Sequence, residues 1–222
     1  MSRSSLLLGI VLALAAVGIT SSAAGASNSF PAAASDAALE PNHGSETAVL
    51  SGGCFWGVQA VFQHVKGVLK ATSGYAGGTA NNPNYEQVST GSTGHAESVE
   101  ITFDPSQVTY GQLLRVFFSV AHDPTELNRQ GPDEGTQYRS AILYTSDEQK
   151  RIAEAYIAQL TAAKVFPRPI VTQVAPLKAF YPAEAYHQDY ATLHPHDPYI
   201  MFNDAPKVAH LRQQFPEMYV GK

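Results

Sequence analysis

The order of apolar and polar positions divides most of the chain into short strands and amphipathic helices. Val99, Ile101 and Phe103 alternate with polar neighbours, which is typical of a strand with one buried face. From Phe55 to Val65, apolar residues recur at helical spacing. The same reasoning predicts strands at 47–50, 68–75, 99–103, 139–144 and 170–174, and helices at 55–65, 113–121, 146–164 and 182–193.

The predicted order of elements, β-α-β-β-α-β-α-β, is typical of an α+β protein. It predicts a ferredoxin-like two-layer sandwich, in which a mixed β-sheet has helices packed mainly on one face. The composition does not change again after residue 46, so residues 46–222 are predicted to form a single domain that carries any catalytic site. Beyond His194 and Pro195 the apolar positions have no clear period, and we expect an irregular C-terminal segment.

The N-terminal residues do not resemble a folded segment. Residues 1–26 have the features of a signal peptide: Arg3 is positive, the uncharged stretch 6–19 is shorter than the roughly 18 residues of a spanning helix, and 24–26 offers a small-residue cleavage site. We therefore predict an exported protein, periplasmic or secreted, with no membrane attachment after cleavage. An uncleaved membrane anchor is the alternative. Residues 27–45, rich in Ala, Ser and Pro, are predicted to be a flexible arm.

Composition and charge narrow the class of function. The chain has 222 residues, of which 44% are hydrophobic and 15% charged, as in ordinary globular proteins. A formal net charge of −5 argues against a surface built to bind a phosphate backbone. We expect no nucleic-acid partner, and we expect a monomer.

Cys54 is the only cysteine of the chain, so no internal disulfide can form. It follows Gly52 and Gly53 at the predicted change from strand to helix. Glycine permits a tight turn there, and the free N–H groups of the first helical turn favour a negative charge. We expect the pKa of this thiol to fall below its usual value of about 8.5, as in a reactive cysteine. A buried and inert thiol is the alternative.

The residues around Cys54 resemble the active-site signature Gly-Cys-Phe-Trp-Gly of the peptide methionine sulfoxide reductase A family, here as a single-cysteine variant. Further stretches similar to that family follow in the same order, within about residues 48–199: Gly74-Tyr75-Ala76-Gly77-Gly78, Asn82-Pro83-Asn84-Tyr85, Thr93-Gly94-His95-Ala96-Glu97, His122-Asp123-Pro124-Thr125, Asp133-Glu134-Gly135-Thr136-Gln137-Tyr138-Arg139-Ser140 and Tyr186-His187-Gln188-Asp189-Tyr190. The resemblance implies an enzyme that reduces the S epimer of methionine sulfoxide, either free or within oxidised proteins.

The resemblance also implies roles for the reacting groups. Cys54 would attack the sulfoxide sulfur as a thiolate while Glu97 protonates the oxygen. Burial would raise the pKa of Glu97 far enough to hold its proton near neutrality. Tyr85 and Tyr138 match the phenols that hydrogen-bond the oxygen as charge builds on it.

Other residues match positions that bind or shape the site. Phe55 and Trp56 would hold the substrate methyl group by apolar contact, and Asp133 would shape the site and its water. His187 is expected to be a hydrogen-bonding group behind the site, with an imidazole unrelated to the reaction as the alternative. No bound cofactor and no metal are expected.

The expected product is methionine with Cys54 as a sulfenic acid. Many relatives carry further cysteines near the C-terminus that form an internal disulfide, whereas residues 195–222 contain none. We therefore expect an external thiol, either thioredoxin-like, glutaredoxin-like or glutathione, to reduce Cys54 through a transient mixed disulfide.

Two other classes of function remain open from the sequence. A hydrolase or acyl transferase would use Cys54 with His187 as its base, and would have no use for a protonated Glu97. A metal-binding module would use His187, His194 and His196, although their spacing fits no compact helical pair of ligands.

Overall fold

A computed structural model of the chain describes Met1 and residues 30–41 and 44–221. The predicted signal peptide therefore lies outside the described residues, Met1 apart. Within the described ranges, no helix has the length and apolar character needed to cross a membrane.

A six-stranded sheet forms the centre of the fold, in the order β7-β6-β1-β3-β2-β8. Every neighbouring pair is antiparallel except β6 and β7, so the sheet is mixed. The strands of this sheet are β1 (Glu46–Ser51), β2 (Val68–Ala76), β3 (Ala96–Phe103), β6 (Ala141–Tyr144), β7 (Gln173–Pro176) and β8 (Phe180–Pro182). A separate hairpin joins β4 (Arg129–Gln130) and β5 (Asp133–Glu134).

Helices connect these strands in the predicted manner. The helices are α1 (Phe55–Gln63), α2 (Tyr85–Ser89), α3 (Tyr110–Val116), α4 (Asp147–Ala162), α5 (Tyr190–Leu193) and α6 (Ala205–Gln214). Because α1 links β1 to β2 and α3 lies between β3 and β6, the central order β6-β1-β3-β2 is that of a ferredoxin-like sheet. The predicted α+β fold is confirmed.

The two faces of the sheet bury different amounts of apolar surface. Alternate residues of β1 separate in this way: Ala48 and Leu50 belong to the main core, which includes residues of α1, α3 and α4, whereas Val49 belongs to a small second cluster. That second cluster is completed by Ala76 and Leu143 and covered by Ala175, Leu177 and Phe180. The helices therefore pack mainly on one face, as predicted.

The sequence pattern misplaced three late elements. The strand expected at 170–174 is β7, which begins at Gln173 beside β6, and the helix expected at 182–193 is instead the end of β8, a short 3-10 turn and α5. The C-terminal segment, expected to be irregular, contains the helix α6. Only Leu211 of α6 is fully buried, so the helix has too narrow an apolar stripe to be recognised from periodicity.

The arm is also different from its prediction. Residues 30–41 are not unpacked: the carbonyl oxygen of Phe30 accepts hydrogen bonds from Arg115, and that of Pro31 accepts one from Tyr156. The Asp36 carboxylate accepts hydrogen bonds from the Thr109 hydroxyl and from the Gly111 N–H at the start of α3. The sequence of the arm does not reveal this packing, because its hydrogen-bond partners lie on or beside the helices α3 and α4.

Candidate active site

The turn before α1 holds Cys54 at the N-cap position of the helix. Gly53 precedes it with a φ of +88°, a left-handed conformation that strongly favours glycine. A Cβ at this position would also lie 2.5 Å from Cγ of Gln130, which packs over the turn from β4. These two restrictions fix the path of the backbone at Cys54, whose side chain is 8% exposed.

Glu97 projects from β3 towards the same turn. Its Oε2 accepts a hydrogen bond of 3.0 Å from the N–H of Phe55, the residue after Cys54. This bond satisfies one of the free N–H groups of the first turn of α1. The strand begins at Ala96 rather than at the predicted residue 99, so Glu97 lies within the sheet and is only 3% exposed.

A cavity of about 190 Å³ opens beside Cys54 and Glu97. The cavity brings together all seven residues that the family resemblance implied would contact the substrate or shape its site. Its lining consists of Cys54, Phe55, Trp56, Tyr85, Glu97, Asp133, Tyr138 and Tyr199. The structure thus places two acids, a thiol, three phenols and two large apolar rings around one small space.

The expectation that the Cys54 thiol has a lowered pKa is wrong for this state of the protein. Burial raises the pKa well above its usual value, and the nearby carboxyl groups of Glu97 and Asp204 raise it further. The N–H of Trp56 and the Lys207 ammonium group act in the opposite direction, but they do not offset burial. The helix start favours a thiolate as expected, and the loss of water around the sulfur outweighs it.

The acid and the phenols are held in their protonated forms. Burial raises the pKa of Glu97 to about 8, against the opposing effect of the Phe55 N–H. At neutral pH this carboxyl therefore carries a proton, as the sequence led us to expect. Burial also raises the pKa of Tyr85 and of Tyr138, so both phenols keep the hydrogen that a donor needs.

His187 lies behind the cavity and does not line it. Its Nδ1 accepts a hydrogen bond of 3.2 Å from Nε1 of Trp56, and its buried Nε2 has no hydrogen-bond partner among the described residues. Neither ring nitrogen is bonded to Cys54, so a hydrolase that relies on a Cys54–His187 pair lacks its base. The ring of Trp56 also stacks on that of Tyr190, with ring centroids 3.8 Å apart.

The metal-binding alternative has no support from the geometry. Within the described part of the chain, no three side chains of His, Cys, Asp or Glu are grouped so that they could hold a metal ion. His187 is buried, whereas His194 and His196 are exposed.

Sequence reasoning missed several residues at the site. Tyr199 lines the cavity and donates a hydrogen bond to Oδ2 of Asp133, holding that carboxylate from the C-terminal part of the chain. Asp204, which is fully buried, forms an ion pair of 3.0 Å with Lys207. No periodic pattern marks these residues, because they approach the site only through the folding of the chain after residue 194.

Comparisons of the sequence agree with this geometry. The family model described as peptide methionine sulfoxide reductase matches residues 46–219. A protein of Mesorhizobium japonicum named peptide methionine sulfoxide reductase MsrA 2 is 66% identical over 179 residues, which cover 81% of this chain and 92% of that protein. A Thermus thermophilus protein named peptide methionine sulfoxide reductase MsrA is 51% identical over 173 residues, covering 78% and 97% of the two chains.

Solved structures show the same similarity. Methionine sulfoxide reductase A of Corynebacterium diphtheriae superposes with a TM-score of 0.62 at 39% identity, over 70% of this chain and 79% of that one. Mxr1 of Saccharomyces cerevisiae in its reduced form superposes with a TM-score of 0.63 at 30% identity, over 74% and 92% of the two chains. The chain therefore belongs to the peptide methionine sulfoxide reductase A family, whose members reduce methionine sulfoxide.

Proposed function

We propose that the chain reduces the S epimer of methionine sulfoxide with Cys54 as nucleophile and Glu97 as proton donor. One observation carries this assignment: the two side chains line a single cavity, and the Glu97 carboxyl is bonded to the N–H directly after Cys54. A sulfoxide needs both groups at once, because its oxygen is too basic to leave the sulfur without a proton.

The overall reaction converts a sulfoxide and a thiol into a thioether and a sulfenic acid. The oxygen passes from the methionine sulfur, which is reduced by two electrons, to the Cys54 sulfur, which is oxidised by two. Glu97 gives its proton to the oxygen and regains one from the thiol as the Cys54 sulfur attacks the sulfoxide sulfur. The hydroxyl group then moves to the Cys54 sulfur while the S–O bond and the new S–S bond break, which leaves methionine and the sulfenic acid. The high pKa of Cys54 fits this sequence, since the thiol keeps its proton until the sulfoxide has been polarised.

The remaining cavity residues sort the two ends of the substrate. Tyr85 and Tyr138 donate hydrogen bonds to the oxygen, while the rings of Phe55 and Trp56 contact the methyl group. Exchanging the epimers would place oxygen against the rings and leave buried donors unpaired, which costs roughly 1–3 kcal/mol for each donor. This difference supports the preference for the S epimer.

Three further residues hold these groups in place. Asp133 shapes the polar end of the cavity and is itself fixed by the hydroxyl of Tyr199. His187 accepts the indole N–H of Trp56 and so orients the ring that would contact the methyl group. None of the three exchanges atoms with the substrate in this proposal.

An external thiol completes the cycle. With one cysteine in the chain, the sulfenic acid has no internal partner with which to form a disulfide. We propose that a thioredoxin-like or glutaredoxin-like protein, or glutathione, condenses with Cys54-SOH and releases water, after which a second thiol frees Cys54. The catalytic domain would act as a monomer on free methionine sulfoxide or on oxidised proteins.

The decisive experiment is a single turnover without reductant. One equivalent of the S epimer of a methionine sulfoxide should add one oxygen atom to the protein, located at Cys54 by peptide mass spectrometry, and should change the fluorescence of Trp56, the only tryptophan. The R epimer and the variant Cys54→Ser are the controls, and neither should gain the oxygen. Release of methionine without oxidation of Cys54 would contradict the mechanism.

The site of action is a separate proposal, which rests on the sequence of residues 1–26. We propose that this segment directs export and is removed before Ser27, so that the enzyme repairs methionine outside the cytoplasm. Mass determination of the protein purified from the exported fraction tests the cut. Recovery of the uncut chain in the membrane fraction would support the anchor instead.

A further inference from the structure

The segment from Ala183 to Gln188 joins several parts of the site without lining the cavity. It follows β8, which ends at Pro182, and contains the 3-10 turn Ala185–His187, which begins after Glu184. Gln188 bonds to both the N–H and the carbonyl oxygen of Ser73 in β2. We call residues 183–188 the bracket, because their side chains connect α1, β2 and α2.

Glu184 holds two tyrosines with its two carboxylate oxygens. Oε1 accepts a hydrogen bond of 2.9 Å from the N–H of Tyr85, and Oε2 accepts one of 2.8 Å from the hydroxyl of Tyr75. Burial alone would raise the pKa of Glu184, but hydrogen bonds from the Tyr85 and Glu184 N–H groups and from Tyr75 outweigh it and lower the pKa. The side chain is therefore an anion, which can accept both bonds at once.

Each of the two tyrosines connects Glu184 to the lining of the cavity. Tyr85 is the first residue of α2, so the position of its backbone N–H determines where its phenol enters the cavity. Tyr75 is fully buried, and its ring lies 5.9 Å from that of Phe55, which also lines the cavity. Glu184 thus holds one lining residue directly and contacts the neighbour of a second.

We propose that Glu184 is a positioning residue that places the phenol of Tyr85 for hydrogen bonding to the sulfoxide oxygen. Glu184 lies outside the cavity lining, so it acts on the reaction only through the side chains that it holds. The inference rests on the proposed role of Tyr85. Since that role is exerted on charge that develops as the S–O bond breaks, the effect of Glu184 belongs to kcat more than to KM.

The test compares two substitutions that each remove one negative charge near Tyr85. Glu184→Gln keeps the size of the side chain but removes its charge and one acceptor oxygen. Both bonds then lose their charge-assisted strength, and the Tyr75 hydroxyl can bond only by accepting from the amide group. We expect kcat for sulfoxide reduction to fall on the order of 10-fold, with KM changed much less. The matched control is Glu86→Gln, at the position of α2 directly after Tyr85. The Glu86 side chain is exposed, so this substitution should leave kcat unchanged.

A double-mutant cycle distinguishes positioning from a general structural role. Once Tyr85→Phe has removed the phenol, Glu184→Gln should cost little more, so the two changes should be strongly less than additive. Combined with Tyr138→Phe, which removes the phenol on the separate 3-10 turn Thr136–Tyr138, Glu184→Gln should be close to additive. Equal additivity in both cycles would overturn the proposal, as would a kcat unchanged by Glu184→Gln.

The single variants separate this inference from the mechanism beneath it. If Tyr85→Phe leaves kcat unchanged, the proposed role of Tyr85 fails and the positioning role fails with it. If Tyr85→Phe lowers kcat while Glu184→Gln does not, the inference about Glu184 alone is wrong. Should Glu184→Gln not fold, Tyr75→Phe replaces it in the cycles, because it removes one of the two donors that fix the carboxylate. The same pattern of additivity then decides.

Discussion

The turn at Cys54 and the bracket at residues 183–188 build the same cavity in opposite ways. The turn is local: Gly53 sets the backbone, Cys54 begins the helix, and Phe55 and Trp56 follow directly in the chain. The bracket contributes no cavity-lining residue, yet it bonds to Trp56 and Tyr85 across 131 and 99 positions of sequence. Three of the cavity-lining residues thus come from one short segment, whereas the bracket contacts two lining residues from the far end of the domain.

The comparison can be tested first by removing the acid that faces the turn. Glu97→Gln keeps the shape and an acceptor for the Phe55 N–H but cannot supply a proton. We expect the rate of Cys54 sulfenic acid formation to fall by about 10²–10⁴-fold, more than for any substitution in the bracket. Rapid-quench measurement with trapping of the sulfenic acid provides the rate. If Glu97→Gln lowered this rate less than Glu184→Gln does, Glu97 would not be the proton donor, and the comparison of the two regions would fail.

The pH dependence sharpens the same point. The pKa of Glu97 is raised to about 8, so its proton is present below that pH and is lost as pH rises through it. We expect the single-turnover rate to be level near neutrality and to fall about tenfold per unit well above the pKa. In Glu97→Gln this descent should disappear. A rate that rises steadily through pH 8 would instead indicate that ionisation of Cys54 is limiting.

Gly57 provides a test at the contact between the turn and the C-terminal part of the chain. A Cβ at this position would lie 2.0 Å from Oδ1 of Asp204, which is buried and paired with Lys207. Gly57→Ala must therefore displace Asp204 and the start of α6, and we expect about 1–3 kcal/mol of destabilisation together with lower activity.

Denaturant unfolding and steady-state kinetics measure the two effects of Gly57→Ala. The control is Gly44→Ala, because a Cβ at Gly44 would meet no atom within 4 Å. Unchanged stability of Gly57→Ala would show that the ion pair yields without cost.

The smallest effect should come from the arm, because the hydrogen bonds of its described residues are made on or beside α3 and α4 and to no residue that lines the cavity. Asp36→Ala leaves the Gly111 N–H at the start of α3 without its acceptor, and we expect a loss of about 1 kcal/mol in unfolding free energy with unchanged kcat. Asp36→Asn, which retains one acceptor oxygen, should lose less. Thermal unfolding and activity assays on the same samples separate the two quantities, and a fall in kcat would connect the arm to the site.

These regions also differ in what their sequences reveal. The strand β3 was predicted from alternating apolar residues, because Val99, Ile101 and Phe103 all pack into the large core. The strand β1 was predicted from a short apolar run, most of which is buried. The position of Glu97 was recognised from a similar motif and not from its own pattern, since a single buried carboxyl produces no period. Tyr199, Asp204 and Glu184 have no local signal at all. Their roles arise from hydrogen bonds and ion pairs between distant segments, which only the folded chain defines.

The pKa of Cys54 illustrates a different limit. The sequence places the thiol at a helix start and indicates the direction of that effect, but it does not reveal how much water the folded chain removes from the sulfur. Desolvation is a property of every layer packed around a residue, including α6 and the segment before it. A local motif can therefore identify the reacting atoms. It is a poorer guide to whether those atoms are protonated before the reaction.

The size of the cavity has a consequence for the proposed action on oxidised proteins. A space of about 190 Å³ would admit the end of one side chain but not the surrounding backbone of a compact client. Damage on a mobile tail or an unwound segment can be presented readily, whereas an oxidised residue locked inside a stable client must first be released by local opening. Reduction would then be fastest in client segments that are already unfolded, so the flexibility of the client would determine which sites are repaired first.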